Sequence, residues 1–323
     1  MSKKPTVLVL SPWLPDEAKA ILEAATLPIY RTSSRDAMLA DIDKADALWP
    51  HFDLKVDRET LDRAPNLKVI NCASTGTDHI DKAAIAARGI TLLSLAKDVG
   101  LLRTFTATAE LSWMFTMAGF RHVRAATRAA HDGDWADGAR RFEGRQLYGK
   151  TLGVLGIGRL GRMTVEFGKG FGMRVQGCDV QPFDIDGVEP VDFDTLLATS
   201  DAISIHIHMT PENHHLFDAA TLAKVKSGVV IANTSRGDII DEAAMIDALE
   251  SGQVAAYGAD VVHDEWRPDM RENLLVHYAT DHDHVTLTPH IGGSTIESVV
   301  NARVFSARKL AHYLQTGEQL AMA

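Results

Sequence analysis

The feature that most constrains the fold is a glycine pattern between an apolar strand and a helical stretch. Thr151–Leu155 has the composition of a buried strand, and Gly156-Ile157-Gly158-Arg159-Leu160-Gly161 follows it at once. Gly156 to about Gly172 is predicted as a glycine-led helix, and Arg174–Cys178 as the next strand. Strand, turn, helix and strand form a βαβ unit, which requires a parallel sheet covered by helices.

The same unit has the spacing of a dinucleotide-binding site. Gly156 permits the tight turn, Gly158 lets the backbone approach a pyrophosphate, and Gly161 lets helix and strand pack closely. The N–H groups at the start of the helix then face the phosphates. Asp179 ends the next strand, where a carboxylate can bind both ribose hydroxyls and repel a 2′-phosphate. We therefore predict NAD as the cofactor; the alternative is a structural turn beside a surface Asp.

Two series of alternating strands and helices are predicted, one on each side of a loop at residues 131–149. One long helix over 107–130 precedes this loop. The last helix, 296–314, follows the second series and needs a partner, which we expect in the first domain. Further strands are predicted at 6–10, 47–49, 68–72, 90–93, 202–206, 229–233, 256–259 and 286–288.

These series predict an α/β fold of two Rossmann-like domains with doubly wound parallel sheets. Residues 1–108 and 294–323 would form a smaller, discontinuous substrate domain of flavodoxin-like type. Residues 109–293 would form the NAD-binding domain.

Charge and cysteine content argue against several classes of protein. The net charge is −10, the pI is near 5.7 and no basic stripe is present, so we expect no nucleic-acid partner. No apolar run approaches the ~18 residues of a membrane span, and Val7–Leu10 is too short for a signal peptide. Cys72 and Cys178 have no motif spacing, which indicates reduced thiols. We therefore expect a cytoplasmic protein without membrane association.

Three segments of the second series carry residues suited to carbonyl reduction. Arg236, Glu265 and His290 each follow a predicted strand, and parallel strands bring their carboxyl ends to one edge of the sheet. A ketone oxygen gains negative charge as hydride arrives, so it needs a proton donor, which His can supply near neutral pH. A carboxylate stabilises the imidazolium, and Arg can hold a substrate carboxylate.

These segments carry a family resemblance. Together with GVLGIGRLG, CDVQP and SDAISIHIHMTPEN, the motifs NTSRGDIIDE, GADVVHDE and LTPHIGGST are specific. The chain resembles the D-isomer-specific 2-hydroxyacid dehydrogenases over almost its full length, best from Gly144 to Gly293. The resemblance implies a small 2-keto or 2-hydroxy acid as substrate and a homodimer. It implies His290 as the acid/base, Glu265 as its partner and Arg236 as the substrate-orienting cation.

The resemblance also implies the binding residues. The backbone of Ser74, Thr75 and Gly76 would bind the substrate carboxylate, together with Arg236. Asp260 would face the nicotinamide amide. The full set of implied cofactor contacts is Gly156, Gly158, Arg159, Leu160, Gly161, Asp179, His206, His208, Thr234, Ser235, Arg236, Asp260, His290 and Gly292.

Several assignments have alternatives. Asp264 could replace Glu265 as the inward acid, and Trp266 stands where the family usually has Pro. His282 and His284 could suggest a metal site, but a solvated polar loop is favoured and no metal is predicted.

The segment from Ser94 to Thr108 departs from the family pattern. We expect it near the active site, where Arg103 or Lys97 could bind a distal group of the substrate. An exposed basic residue is the alternative.

Two rival functions share this fold. Formate dehydrogenases are similar in sequence but pair their His with Gln, whereas this chain offers Glu265. An NADH-sensing protein like the C-terminal-binding corepressors is the second rival, and turnover of a 2-keto acid would argue against it.

Overall fold

The computed structural model describes residues 4–320 and 322, in two compact units. One unit contains the chain up to Phe105 and from Thr295 onward, and the other runs from Thr106 to Ser294. The strands are β1 (Thr6–Val9), β2 (Leu27–Tyr30), β3 (Ala47–Trp49), β4 (Val69–Asn71), β5 (Thr91–Leu93), β6 (Thr151–Leu155), β7 (Arg174–Cys178), β8 (Val188–Pro190), β9 (Ala202–Ile205), β10 (Val229–Asn233), β11 (Val254–Ala259) and β12 (Val285–Leu287).

Helices connect these strands, and many begin at an Asp, Asn, Ser or Thr whose side chain accepts a hydrogen bond from a free backbone N–H. They are α1 (Asp16–Ala25), α2 (Arg35–Asp41), α3 (Arg58–Asp62), α4 (Lys82–Ala87), α5 (Val99–Leu102), α6 (Ala107–Phe120), α7 (Val123–His131), α8 (Gly138–Arg141), α9 (Arg159–Gly170), α10 (Phe193–Thr199), α11 (Ala219–Leu222), α12 (Glu242–Glu250), α13 (Leu274–Ala279) and α14 (Ile296–Thr316). Among the described residues, no helix is both long and apolar enough to cross a bilayer.

The first unit is built on a five-stranded parallel sheet in the order β2-β1-β3-β4-β5. Both faces of the sheet are covered, as buried parallel strands require. On one face, Val304, Ala307 and Leu310 of α14 join the same apolar core as Val7 and Val9 of β1. The last helix is therefore a structural part of this unit.

The second unit is built on a seven-stranded parallel sheet in the order β12-β11-β10-β9-β6-β7-β8. The chain runs outward from β6 to β8, then returns to β9 on the other side of β6. This reversal is the point at which doubly wound sheets bind ligands, outside the carboxyl ends of the strands. The prediction of two parallel-sheet α/β domains is confirmed.

The prediction of one helix over residues 107–130 is wrong. α6 ends at Phe120 and α7 begins at Val123, because His122 adopts the left-handed conformation with a φ of 49°. The carbonyl of Phe120 accepts a hydrogen bond from the N–H of Arg145 at 2.8 Å, and the Arg145 guanidinium lies 4.7 Å from the Phe120 ring centre. A tertiary contact thus replaces the helical bond that periodicity predicts. The following loop also contains the short helix α8.

Candidate active site

Three neighbouring strands deliver the three candidate catalytic side chains. β10, β11 and β12 are adjacent in the second sheet. Arg236 follows β10, Glu265 follows β11, and His290 follows β12. All three residues therefore leave the sheet at its carboxyl edge.

Glu265 and His290 are in direct contact. Oε1 of Glu265 lies 2.9 Å from Nδ1 of His290, and both side chains are mostly shielded from solvent. Because Nδ1 faces a carboxylate, proton exchange with a substrate would take place at Nε2. This is the arrangement expected of an acid/base imidazole oriented by a carboxylate.

The loop after β11 determines which acid reaches His290. Asp264 has a φ of 47° and pairs with Arg267 at 3.3 Å, so its carboxylate lies on the exposed side of the loop. Glu242 fixes the start of the same loop, because its Oε1 accepts hydrogen bonds from the N–H of His263 at 2.9 Å and from Asn273 at 3.2 Å. The structure places Glu265, and not Asp264, against His290.

Glu242 and Asn273 are residues whose importance the sequence did not reveal. Both are buried, and Nδ2 of Asn273 also donates to the carbonyl of His263 at 2.9 Å. The only sequence signal was the presence of Glu242 in the NTSRGDIIDE motif. A buried carboxylate needs hydrogen-bond donors, and these two residues supply each other with partners while holding the Glu265 loop.

Asp260 organises the turn that carries His290. Its Oδ1 accepts hydrogen bonds from the hydroxyl of Thr288 at 2.5 Å and from the N–H of Ile291 at 2.8 Å, while Oδ2 accepts from the N–H of Gly292 at 2.7 Å. The backbone of His290 itself has a φ of 52° and donates to the Asp260 carbonyl at 2.9 Å. Asp260 is almost fully buried, so its carboxylate faces the turn. Its contact with a nicotinamide amide stays a prediction.

A second network holds the segment that contains Arg236. The side chain of Asn233 accepts from the N–H of Ser235 at 3.0 Å and donates to the carbonyl of Arg236 at 2.9 Å. The hydroxyl of Ser235 donates to the carbonyl of Ile205 at 2.8 Å, which ties β10 to β9. Gly237 must lack a side chain, because a Cβ there would lie 2.0 Å from the backbone of Val262. The Arg236 backbone is therefore fixed on both sides.

Trp266 lies beside the candidate acid/base. Its ring is stacked on the His290 imidazole at 5.8 Å between centroids, with 26° between the ring planes. The Trp266 side chain is about half exposed (47%). The residue that replaces the usual Pro of the family thus adds an aromatic surface next to His290.

The glycine turn has the geometry that the pattern predicts. Gly156 has a φ of 93°, and a Cβ on Gly161 would lie 1.9 Å from the carbonyl oxygen of Gly156. A Cβ on Gly158, by contrast, would point into open space at the start of α9. Gly156 and Gly161 are therefore required by the fold, whereas Gly158 leaves room for a ligand to approach the backbone.

Asp179 lies beside this turn. One carboxylate oxygen accepts a hydrogen bond from the N–H of Ile157 at 2.6 Å, and the other from the N–H of Gln181 at 2.9 Å. These bonds hold the carboxylate at the end of β7, next to the first residues of α9. At the start of that helix, burial lowers the pKa of Arg159. Leu160 follows it in the sequence.

Two buried polar atoms at the same sheet edge indicate a polar ligand. Among residues 4–320 and 322, neither Oγ1 of Thr234 nor Nδ1 of His206 has a hydrogen-bond partner. Buried polar atoms in proteins are normally paired, so unpaired ones at the ends of β10 and β9 favour a bound group with polar atoms. With the open side of Gly158 and the Asp179 carboxylate, these residues fit a dinucleotide. His208, by contrast, is exposed.

The residues expected to bind the substrate carboxylate lie in the first unit. Ser74, Thr75 and Gly76 follow β4, and the Ser74 hydroxyl closes the turn by donating to the carbonyl of Gly76 at 2.7 Å. Lys97 and Arg103 of the atypical segment are exposed, and Arg103 caps the short helix α5.

The two histidines that could have suggested a metal site pack onto a tyrosine. His282 stacks on Tyr278 at 3.8 Å between ring centres, and Nε2 of His284 lies 3.0 Å from the Tyr278 hydroxyl. The segment is thus more structured than the solvated loop that the sequence predicts. Within the described part of the chain, no group of three or more acidic, His or Cys side chains could hold a metal ion.

Comparisons with known proteins identify the family of this chain. A family model for the D-isomer specific 2-hydroxyacid dehydrogenase, NAD binding domain, matches residues 113–292. D-3-phosphoglycerate dehydrogenase of Methanocaldococcus jannaschii is 33% identical over 314 residues, which cover 96% of this chain and 57% of that relative. This chain therefore spans little more than half of that relative's length.

A hydroxypyruvate reductase of Thermotoga maritima is 35% identical over 82% of this chain and 83% of its own length. Among solved structures, a D-lactate dehydrogenase of Aquifex aeolicus, complexed with NAD and lactic acid, has a TM-score of 0.85 and 25% identity, and the match covers 97% of this chain and 96% of that one. NAD is the cofactor that the family model and this neighbour share. The chain belongs to the D-isomer-specific 2-hydroxyacid dehydrogenase family, with an NAD-binding domain.

Proposed function

We propose that this protein transfers a hydride between NAD(H) and C2 of a small 2-keto or 2-hydroxy acid, with His290 as the acid/base. The observation that carries the proposal is the 2.9 Å contact between Nδ1 of His290 and Oε1 of Glu265 at the carboxyl edge of the second sheet. An imidazole held in this way can give a proton to the new hydroxyl in reduction and take it back in oxidation. The resemblance to reductases and dehydrogenases of such acids supports the substrate class.

The chain's own residues would hold the cofactor. The backbone at Gly156, Gly158 and α9 would bind the pyrophosphate, and Asp179 would bind the adenosine ribose. The hydroxyl of Thr234 and Nδ1 of His206 would gain polar partners. The chemistry that NAD(H) supplies when bound is hydride transfer.

The remaining residues would act on the substrate. His290 holds or releases the proton at Nε2, and Glu265 stabilises its charged form. The Arg236 guanidinium orients the substrate and polarises the C2 carbonyl. Backbone N–H groups of Ser74, Thr75 and Gly76 would bind the C1 carboxylate, as anions bind to clustered amides.

The test is NADH oxidation against a panel of 2-keto acids: glyoxylate, pyruvate, hydroxypyruvate, phenylpyruvate, 2-ketobutyrate, 3-sulfopyruvate and phosphohydroxypyruvate. We expect turnover of at least one acid and loss of nearly all turnover in His290→Ala. His282→Ala is the matched control, because that imidazole stacks on Tyr278 instead. If NADH binds but no acid of the panel is reduced, the proposed substrate class is wrong, and either a substrate of another class or an NADH-sensing role replaces it.

We also propose that the protein forms a homodimer. Met114, Met117, Val123 and Trp135 of the second unit are exposed apolar side chains, with Trp135 at 78%. A groove of about 820 Å³ in the same unit is lined partly by Trp135 and Phe142. Exposed apolar patches are typical of association surfaces. Sedimentation measures the oligomeric state of the wild type and of Trp135→Glu. We expect a dimeric wild type and a weaker dimer in the variant, and a monomeric wild type contradicts the proposal.

A further inference from the structure

Two contacts fix how α14 runs along the sheet of the first unit. The Tyr313 hydroxyl lies 2.6 Å from Oγ1 of Thr91, at the start of β5. One end of the helix is therefore at the amino edge of the sheet. Earlier in the helix, the carbonyl of Ser306 accepts a hydrogen bond from Asn71, at the end of β4, at 3.4 Å. The helix thus runs from the carboxyl edge of the strands to their amino edge.

This register places Arg303 at the carboxyl edge. Arg303 precedes Ser306 by three residues, which is about 4.5 Å along a helix axis. It therefore lies beyond the end of β4, on the side where Ser74, Thr75 and Gly76 continue the chain. Ala73, directly before that turn, packs in the same apolar cluster as Val300 and Val304, the neighbours of Arg303 on α14.

Trp13 contacts the Arg303 side chain. Trp13 belongs to the loop after β1, at the same edge of the sheet, and is half exposed (50%). The Arg303 guanidinium lies 5.4 Å from the centre of its ring. A cation at this distance is attracted by the aromatic face, which holds the guanidinium in place without neutralising it.

Arg303 differs from the other cations near it on α14 in having no acidic partner. Arg308 binds Glu17 at 2.6 Å, and Lys309 binds Asp98 at 2.7 Å. Among the described residues, no carboxylate forms an ion pair with Arg303, although it is half-buried and burial lowers its pKa. Partial burial of a cation without an anion is unfavourable, so a structure that maintains it is suited to receive an anion.

We propose that Arg303 binds an anionic group at the distal end of the substrate, a carboxylate, sulfonate or phosphate carried beyond C2. This inference rests on the proposed function and narrows its substrate class to acids with a second anionic group. The planar guanidinium offers paired N–H donors that match the oxygens of such groups. In this proposal Arg303 binds the distal group, and the exposed Arg103 and Lys97 do not.

The test compares pairs of 2-keto acids that differ in the distal group. The pairs are 3-sulfopyruvate with pyruvate, phosphohydroxypyruvate with hydroxypyruvate, and 2-oxoglutarate with 2-oxovalerate. We expect the wild type to favour the anionic member of at least one pair. Arg303→Met should lower kcat/KM for that acid by about 10- to 100-fold, mainly through KM, while the neutral member changes less than about 3-fold.

Two further variants make the comparison decisive. Arg308→Met removes a cation of the same helix that already has a partner, and it should leave the anionic preference unchanged. Arg303→Lys keeps the charge and should restore part of the preference. The proposal is overturned if Arg303→Met lowers kcat/KM equally for both members of a pair. It is also overturned if the wild type favours the neutral member of every pair.

The proposal also has a test that does not need turnover. If no 2-keto acid is reduced, calorimetric titration of 3-sulfopyruvate and pyruvate into the NADH-saturated protein replaces kinetics. The anion site is supported if the wild type binds 3-sulfopyruvate more tightly than pyruvate and Arg303→Met binds 3-sulfopyruvate more weakly than the wild type does. This result would support the site although the proposed reaction has failed. Equal binding by wild type and variant contradicts the anion site itself.

Discussion

Glu265 reaches His290 through Nδ1 of the imidazole, at 2.9 Å from its carboxylate oxygen Oε1. The two residues come from loops after neighbouring strands, and each loop is fixed by a buried acid. Glu242 holds the loop of Glu265, and Asp260 holds the turn of His290. The pair is therefore positioned before any substrate binds, which limits the reorganisation needed during the reaction.

Replacing Glu265 by Gln should lower kcat for keto-acid reduction by about 10- to 100-fold, because the charged imidazole loses its carboxylate partner. Steady-state kinetics with a saturating keto acid measures this change. Asp264→Asn is the control, since Asp264 pairs with Arg267 at the exposed side of the loop and should lose less than about 3-fold. A larger loss in Asp264→Asn than in Glu265→Gln would contradict the assignment.

Substitutions of two glycines in the turn should have different effects, one on NADH binding and the other on stability. Gly158→Ala adds a methyl group in open space, so the thermal stability of the cofactor-free protein should change by less than about 1 kcal/mol, while NADH binds more weakly. Gly161→Ala places a methyl group 1.9 Å from the Gly156 carbonyl oxygen and should lower the melting temperature strongly. Differential scanning fluorimetry and NADH titration measure both effects. Equal NADH affinity in Gly158→Ala and the wild type would speak against the pyrophosphate site.

His206 should make the second unit less stable in acid. Burial lowers the pKa of His206 to about 4, whereas in the unfolded chain the imidazole titrates near its ordinary value of 6.5. As pH falls from 6.5 toward 4, the unfolded chain takes up a proton that the folded chain does not, so the fold loses stability. The loss at pH 5 relative to pH 7 is about 2 kcal/mol.

His206→Gln should remove this part of the acid sensitivity. Its melting temperature should fall less between pH 7 and pH 5 than that of the wild type, because Gln does not titrate. The exposed His208→Gln should keep the full wild-type difference. Identical pH dependence in the wild type and His206→Gln shows that other groups cause the acid sensitivity.

The buried ion pair between Lys309 and Asp98 should be a strong determinant of stability in the first unit. Nζ of Lys309 lies 2.7 Å from Oδ2 of Asp98, and both side chains are almost fully buried. Lys309→Met leaves a buried carboxylate without its cation and should cost about 3–5 kcal/mol. The double variant Asp98→Leu, Lys309→Met removes both charges and should recover part of that loss. Calorimetric unfolding measures the effect, and a Lys309→Met protein as stable as the wild type refutes it.

Much of the second unit followed from local sequence. Strand, glycine turn and helix around Gly156 specify a βαβ unit, because Gly156 and Gly161 stand where a side chain would not fit. Hydrophobic periodicity identified most strands of both sheets. The same order of motifs along parallel strands placed Arg236, Glu265 and His290 at one sheet edge, since successive strand ends must meet there.

Other features were decided by contacts between residues far apart in the chain. The break at His122 depends on a hydrogen bond from Arg145 to Phe120, and helical periodicity contains no information about that bond. The choice of Glu265 over Asp264 depends on a loop conformation that Glu242 and Asn273 fix. The position of Arg303 beside Trp13 depends on how α14 packs on the sheet of the first unit. The sequence by itself thus determined the fold class, the glycine turn and the candidate catalytic residue types, because these are local patterns. The tertiary structure decided the partners and orientations of these residues, because these depend on which distant side chains meet.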